Sequence, residues 1–199
     1  MFVIVEGPNG SGKTSLIRKL SKNGYTTLSS PNGTPLAKML RPVCRGVDPW
    51  KDVDNHVQIM LFSAARLDEY IKLVHDNDDL IISDRWWTST YVYQCILQGL
   101  PVSLMEHTIH PSEKIDHVVI LDANNDILKN RMEKERNLNP VHGKCKWTSD
   151  LESMFKVAEI YRNNLPNYLI SKDIKNTIIN TSKMNEDEVY NQFKWSIGI

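Results

Sequence analysis

The stretch VEGPNGSGKTSL, residues 5–16, decides how the rest of the chain is read. Gly7, Gly12, Lys13 and Thr14 match G-x-x-x-x-G-K-[ST], between the apolar run FVIVE at 2–6 and the amphipathic run SLIRKLSK at 15–22. A strand, then this loop, then a helix is the context in which the motif grips phosphate. Glycines let backbone N–H groups curl around a polyphosphate, Lys13 adds a point charge for the β and γ groups, and the Thr14 hydroxyl can ligate Mg2+. Asn9, Gly10, Ser11, Gly12, Lys13, Thr14 and Ser15 are therefore the candidate ATP-binding segment.

Outward from that loop, short apolar runs recur: YTTLS at 25–29, LIISD at 80–84, HVVILD at 117–122 and NTIIN at 176–180. They are β-branched and do not alternate with polar residues, as expected of strands buried on both faces of a parallel sheet. Between them, HVQIMLFSAARLDEYIKLVHD, NDILKNRMEKER and LESMFKVAEIYRNNLPNYL carry apolar residues at spacings of three and four, the pattern of helices packed on a sheet. The expectation is an α/β P-loop NTPase fold, a five-stranded parallel sheet with helices on both faces, in one domain over residues 1–199. Ligands in such a fold bind at the carboxyl ends of the strands. One segment breaks the pattern: RNLNPVHGKCKWTSD, 136–150, is polar and holds a Pro and a Gly, and is a candidate short lid.

LIISDRWW ends a strand in Asp84 and Arg85. If that strand neighbours the first, Asp84 is placed as a second metal ligand beside Thr14. An aspartate at a strand end can equally cap the helix that follows.

At this point the residues resemble the thymidylate kinase family of P-loop nucleoside monophosphate kinases. The motifs follow in order over nearly the whole chain: EGPNGSGKT, then SSPNGTPLAKMLR where the family has an R-E-P-G-G-T-like segment, LFSAAR, DRWWTSTYVYQ and VVILD. The resemblance implies transfer of a phosphoryl group from ATP, with Mg2+, to a nucleoside monophosphate, thymidylate foremost. It assigns the acceptor's charge to Arg85 and Arg66, with Arg41 as a further candidate. It implies that Phe62 stacks on the acceptor base, that Thr90 and Gln94 read the pyrimidine edge, and that Ser89 belongs to the same set. Because the loop residues PNGS carry no charge, it also implies lid cations that neutralise the moving group, Arg131 and Arg136 before Lys134, Lys144 and Lys146.

Two positions depart from the family pattern. Asn9 stands where an acidic residue is usual, and Ser29 where the R-E-P segment has its arginine, so a charge expected near the acceptor phosphate is missing. The second strand also ends LSSPNG, without the carboxylate base that a deoxynucleoside kinase needs to deprotonate a hydroxyl. A kinase for another pyrimidine nucleotide or a deoxynucleoside, or a nucleotide-binding module without transfer, are the alternatives.

Composition bounds the partners. Lys plus Arg equal Asp plus Glu at 24 each, so the chain as a whole has no electrostatic reason to bind nucleic acid or an anionic membrane. No run reaches the roughly 18 apolar residues of a membrane span, and MFVIVEG lacks the basic start of a signal peptide. Cys44, Cys95 and Cys145 are odd in number and lack C-x-x-C spacing, which suits a reducing, cytoplasmic setting. The apolar HVQIMLFSAARL admits a homodimer through that helix, and core packing explains it equally well.

Overall fold

The computed structural model of the chain describes residues 1–46, 49–138 and 150–199, and of Arg136 and Leu138 the backbone alone. Its centre is a sheet of five parallel strands, β1 (Phe2–Glu6), β2 (Thr26–Ser29), β3 (Ile81–Asp84), β4 (His117–Asp122) and β5 (Asn176–Asn180), in the order β2-β3-β1-β4-β5. All five strands fall on the apolar runs expected of them.

Lack of alternation in those runs has the anticipated cause. Phe2 and Ile4 of β1 point to one face, with Ile81, Val118 and Ile120, and pack against Trp86, Tyr91, Val157 and Tyr161. Val3 and Val5 point to the other, with Ile82, Val119 and Leu121, and pack against Leu16, Leu20, Val189 and Phe193. Successive residues of a strand face opposite sides, so a strand covered on both must be apolar throughout.

The first face is covered by α4 (Trp87–Thr90), α7 (Leu151–Glu159) and α8 (Leu165–Ser171) and by π-helical turns at Tyr70–Val74, Tyr91–Leu97 and Ile160–Asn164, which continue α3 (Asn55–Glu69) and α4 and join α7 to α8. The second face is covered by α1 (Lys13–Lys22) and α9 (Glu186–Ile197). Helix α9 was not among the expected helices; its start is fixed by a capping box in which Asn185 accepts from the Glu188 N–H and Glu188 from the Asn185 N–H. Helices α2 (Pro35–Cys44), α5 (Val102–Glu106) and α6 (Asn125–Leu138) complete the set among the described residues. None of these helices is long and apolar enough to cross a membrane.

From β1 the chain moves to β2 on one side of the sheet, and from β3 it returns to β4 on the other, so the direction of winding reverses beside β1. The crevice at that reversal is where a sheet of this kind binds ligands. Pairing brings the strand ends level there: Val5 sits opposite Asp84, and Asp84 opposite Ser29. A further carboxylate shapes the rim. Glu69, fully buried at the end of α3, accepts from the Ser30 hydroxyl at 2.6 Å and from the N–H groups of Asn32 and Gly33 at 2.7 and 2.6 Å, and so pins the loop after β2. Of the segment 136–150, the part from 139 to 149 lies outside the described residues, and the lid expectation with it.

Candidate active site

Gly7 leaves β1 at φ 140°, and a Cβ there would lie 2.1 Å from the carbonyl oxygen of Leu121 in β4, so only glycine lets the loop pass that close. Gly12, at φ 102°, turns the chain into α1 without a side-chain cap, and the first turn of α1 holds no acidic residue. The N–H groups at that helix start are therefore left for an anion, which the helix dipole also favours. Lys13 is buried, and its Nζ donates to the carbonyls of Gly7 and Pro8 at 2.7 and 2.8 Å. Burial, reinforced by the Arg85 charge, lowers its pKa from 10.5 to about 7, with Asp84, Glu6 and Glu135 opposing.

Asp84 closes β3 beside the loop, and its Oδ1 is buried without a hydrogen-bond partner. The next residue, Arg85, takes the left-handed conformation at φ 71°, a costly one for arginine. Its N–H bonds the Val5 carbonyl at 3.1 Å, which ties the turn to β1. Its guanidinium is held by Tyr161 Oη at 2.9 Å, Ser89 Oγ at 3.2 Å, Asn9 Oδ1 at 3.3 Å and Glu6 Oε2 at 3.4 Å. Burial opposes that charge, but Tyr161, Tyr93, Glu6 and Asp84 outweigh it and hold Arg85 well above the ordinary arginine value. Asn9, in the place of an acidic residue, keeps a contact with this arginine.

Glu6 is the residue that the sequence did not single out. It has no solvent exposure and accepts from the Thr88 hydroxyl at 2.6 Å, Ser89 at 2.8 and 2.9 Å, Tyr161 at 2.8 Å, the Trp86 N–H at 3.3 Å and Arg85. Ser89, expected at the acceptor, thus spends its proton on Glu6.

Arg66 lies apart from Arg85. Nearly fully buried, it donates to the Thr90 hydroxyl at 2.6 Å, to Ser63 at 3.3 Å and to the Trp86 carbonyl at 3.4 Å, with Phe62 5.9 Å from its guanidinium carbon. Burial lowers its pKa to about 10, Glu113 being the largest opposing charge. The structure therefore sets Arg66 among Phe62, Thr90 and Gln94. Thr90 accepts from Arg66 and keeps its own proton to donate, while Gln94, buried, lines the same cavity.

At the other end, Arg131 of α6 donates to the Gly10 carbonyl at 3.2 Å and to Thr181 Oγ1 and O, both at 2.9 Å. It braces the loop against the segment after β5, and burial lowers its pKa. The Thr181 hydroxyl lies 3.0 Å from the Ser11 carbonyl. Thr181 too went unnoticed in the sequence, although it follows the fifth strand, where the carboxyl-end rule would look. The Arg136 side chain lies outside the described residues, as do Lys144 and Lys146.

Lys134 is exposed and lies off the cavity lining, whereas the remaining candidates line one cavity of about 770 Å3: the loop from Asn9 to Ser15, Arg41, Phe62, Arg66, Asp84, Arg85, Ser89, Thr90, Gln94 and Arg131. Tyr93, at the tyrosine position of the DRWWTSTYVYQ motif, and Arg45, which no motif reading selected, line it as well.

A parallel sheet wound in this order, with a glycine loop leading from its central strand into a helix, defines the P-loop NTPase fold. The chain belongs to the thymidylate kinase family, whose model matches residues 5–186. It is 35% identical to thymidylate kinase of Acinetobacter baylyi over 109 residues, 50% of this chain and 54% of that one. The chain thus spans about half the length of the Acinetobacter relatives it matches. With thymidylate kinase of Chlamydia caviae it shares 28% identity over 187 residues, 85% and 88% of the two chains. Its fold also matches the crystal structure of thymidylate kinase from Ehrlichia chaffeensis, with a TM-score of 0.71 at 19% identity over 99% of this chain and 98% of that one.

The lowered Lys13 pKa gives a pH-dependent signature. With a free-protein value of about 7, Lys13 is mostly neutral at pH 8.5, and a bound polyphosphate restores its charge. ATP binding should take up close to one proton at about pH 8.5 and not at about pH 6, where Lys13 is already protonated. Calorimetry in buffers of different ionisation enthalpy measures this, and the uptake should vanish in Lys13→Met.

Proposed function

We propose that the protein is a thymidylate kinase that transfers the γ-phosphoryl group of ATP to dTMP, giving dTDP and ADP. The observation that carries this is the single cavity of about 770 Å3 that runs from the phosphate loop to Phe62, Thr90 and Gln94. A phosphate oxygen of the acceptor attacks the γ-phosphorus, and the bond to the β–γ bridging oxygen breaks. Such an acceptor is already ionised, so no general base is needed. The strand ends near Ser29 and Ser30 offer none, and Glu69 is committed to the rim loop.

Catalysis is then positioning and charge. Lys13 and the N–H groups at the start of α1 hold the donor phosphates. Arg85, oriented by Glu6, Tyr161, Asn9 and Ser89, stands where donor and acceptor phosphates meet. Arg131, anchored to the Gly10 carbonyl, supplies positive charge from the donor side, with Arg136 as a further candidate. Thr14 and the unpartnered Oδ1 of Asp84 suit Mg2+, directly or through its water, a hard cation that prefers oxygen donors. When bound there it would neutralise phosphate charge.

Phe62 provides a stacking face for the base, and Thr90 and Gln94 provide a hydroxyl and an amide for its edge. A purine would strand those groups and overfill the space. Val57, Met60 and Leu67 on α3, with Ile71 in the π-helical turn that continues it, form an exposed apolar stripe at helical spacing, which supports a homodimer through this helix. Met60→Glu should then lower the mass seen by sedimentation equilibrium from two chains to one; an unchanged mass would remove the dimer.

The function is tested with a panel of nucleoside monophosphates in a coupled ADP-release assay. dTMP should be the best acceptor and purine monophosphates should fail. Gln94→Leu should erode the preference for dTMP by about 1–3 kcal/mol, the worth of a buried hydrogen bond with its partner left unpaired. Efficient use of a purine monophosphate, with the ranking unchanged by Gln94→Leu, would overturn the reading.

A further inference from the structure

Helix α2 carries Arg41 in its last turn and Arg45 at its C-cap, four residues on and so on the same face. Both line the cavity alongside Ser29, Ser30 and Pro31. Arg41 donates one hydrogen bond, from Nη1 to the Pro31 carbonyl at 2.9 Å. The side chain of Arg45 makes neither a hydrogen bond nor an ion pair among the described residues. Burial, and then Arg45, hold Arg41 below the ordinary arginine value, so the two charges act on each other.

Two like charges one turn apart repel, and Asp84 and Glu69 offset this only in part, since Arg41 stays below the ordinary arginine value. Glu69 gives both oxygens to Ser30, Asn32 and Gly33, and Glu6 gives both to Thr88, Ser89 and Tyr161. Ser29 faces the same space and brings no charge. Arg85 differs in being held by four protein side chains. The donors of Arg45 are therefore the unsatisfied ones, in a cavity and beside a second arginine.

We propose that Arg45, acting with Arg41, grips the phosphate of the acceptor and so makes the site select a nucleoside monophosphate over a nucleoside. This rests on the kinase reading above. A phosphate monoester carries nearly two negative charges at neutral pH and offers paired oxygens, which match the planar fork of a guanidinium better than an ammonium. Charge absent at the end of β2 is thus supplied from the end of α2.

The test compares wild type, Arg45→Ala, Arg45→Lys and the double variant Arg45→Ala with Ser29→Arg. In kinetics with dTMP varied at saturating ATP, Arg45→Ala should raise the KM for dTMP about tenfold or more, as for loss of a charged hydrogen bond, with kcat within about twofold. Arg45→Lys should recover part of the loss, and Ser29→Arg should lower the KM of the double variant again. Calorimetry should show ATP and thymidine bound equally by wild type and Arg45→Ala, and dTMP bound more weakly by the variant alone. An unchanged dTMP affinity, or equal losses for dTMP and thymidine, overturns the assignment of Arg45. If wild type binds dTMP and transfers nothing to it, the kinase reading falls, and weaker dTMP binding by Arg45→Ala still supports the phosphate grip. No dTMP binding by wild type removes both.

Discussion

A carboxylate without access to water sits at the end of the central strand, and the site is built around its charge. Glu6 has left water entirely, a step that costs several kcal/mol unless donors replace the lost hydration. They come from Trp86, Thr88 and Ser89 just beyond β3, from Tyr161 in the π-helical turn after α7, and from Arg85. Two stretches far apart in sequence are thereby fastened to the strand that leads into the phosphate loop. Arg85 accepts a left-handed backbone in this arrangement, and the hydrogen bond from its N–H to Val5 shows what holds the turn in place.

Consequences run to both ends of the cavity. On one side Arg85 reaches Asn9 inside the loop, so the arginine that follows β3 is mechanically joined to the phosphate loop. On the other, α4 starts in the residues that satisfy Glu6 and carries Thr90 to Arg66. The four arginines at this end differ in their surroundings: Arg66 is bonded to Ser63, Trp86 and Thr90, Arg85 is held by four side chains, and Arg41 and Arg45 are the two with donors to spare. Opposite them, Arg131 and Thr181 tie the loop to the segment after β5, so the donor side is braced independently.

How much of this was legible depends on the kind of signal. The strands were, because burial on both faces forces unbroken β-branched runs, and the loop was, because glycine at 7 and 12 has a backbone reason to be there. Motif order also led to residues that line the cavity, Phe62, Arg66, Arg85, Thr90 and Gln94 among them. Glu6 was not legible as a hub, since a strand-terminal glutamate does not reveal that five donors converge on it. Tyr161 read as one more apolar position of a helix, and Arg66 as a phosphate ligand, because spacing along one helix says nothing of which neighbouring helix it meets. Arg45 could have been found from Arg41 by counting one turn, but Pro42 between them obscures that the helix continues to Cys44. Helix α9 was announced by its Asn185 and Glu188 spacing and was missed for want of a strong apolar stripe.

The central claim is that one cavity holds donor and acceptor with their phosphates meeting at Arg85. Adenosine and thymidine joined by a chain of five phosphates, long enough to mimic ATP and dTMP in line, test it directly in a calorimetric titration. The account predicts one molecule bound per chain, displaced by either ATP or dTMP, with an affinity well above that of each alone because the second contact becomes intramolecular. An affinity no greater than that of ATP, with dTMP still able to bind alongside, would contradict it.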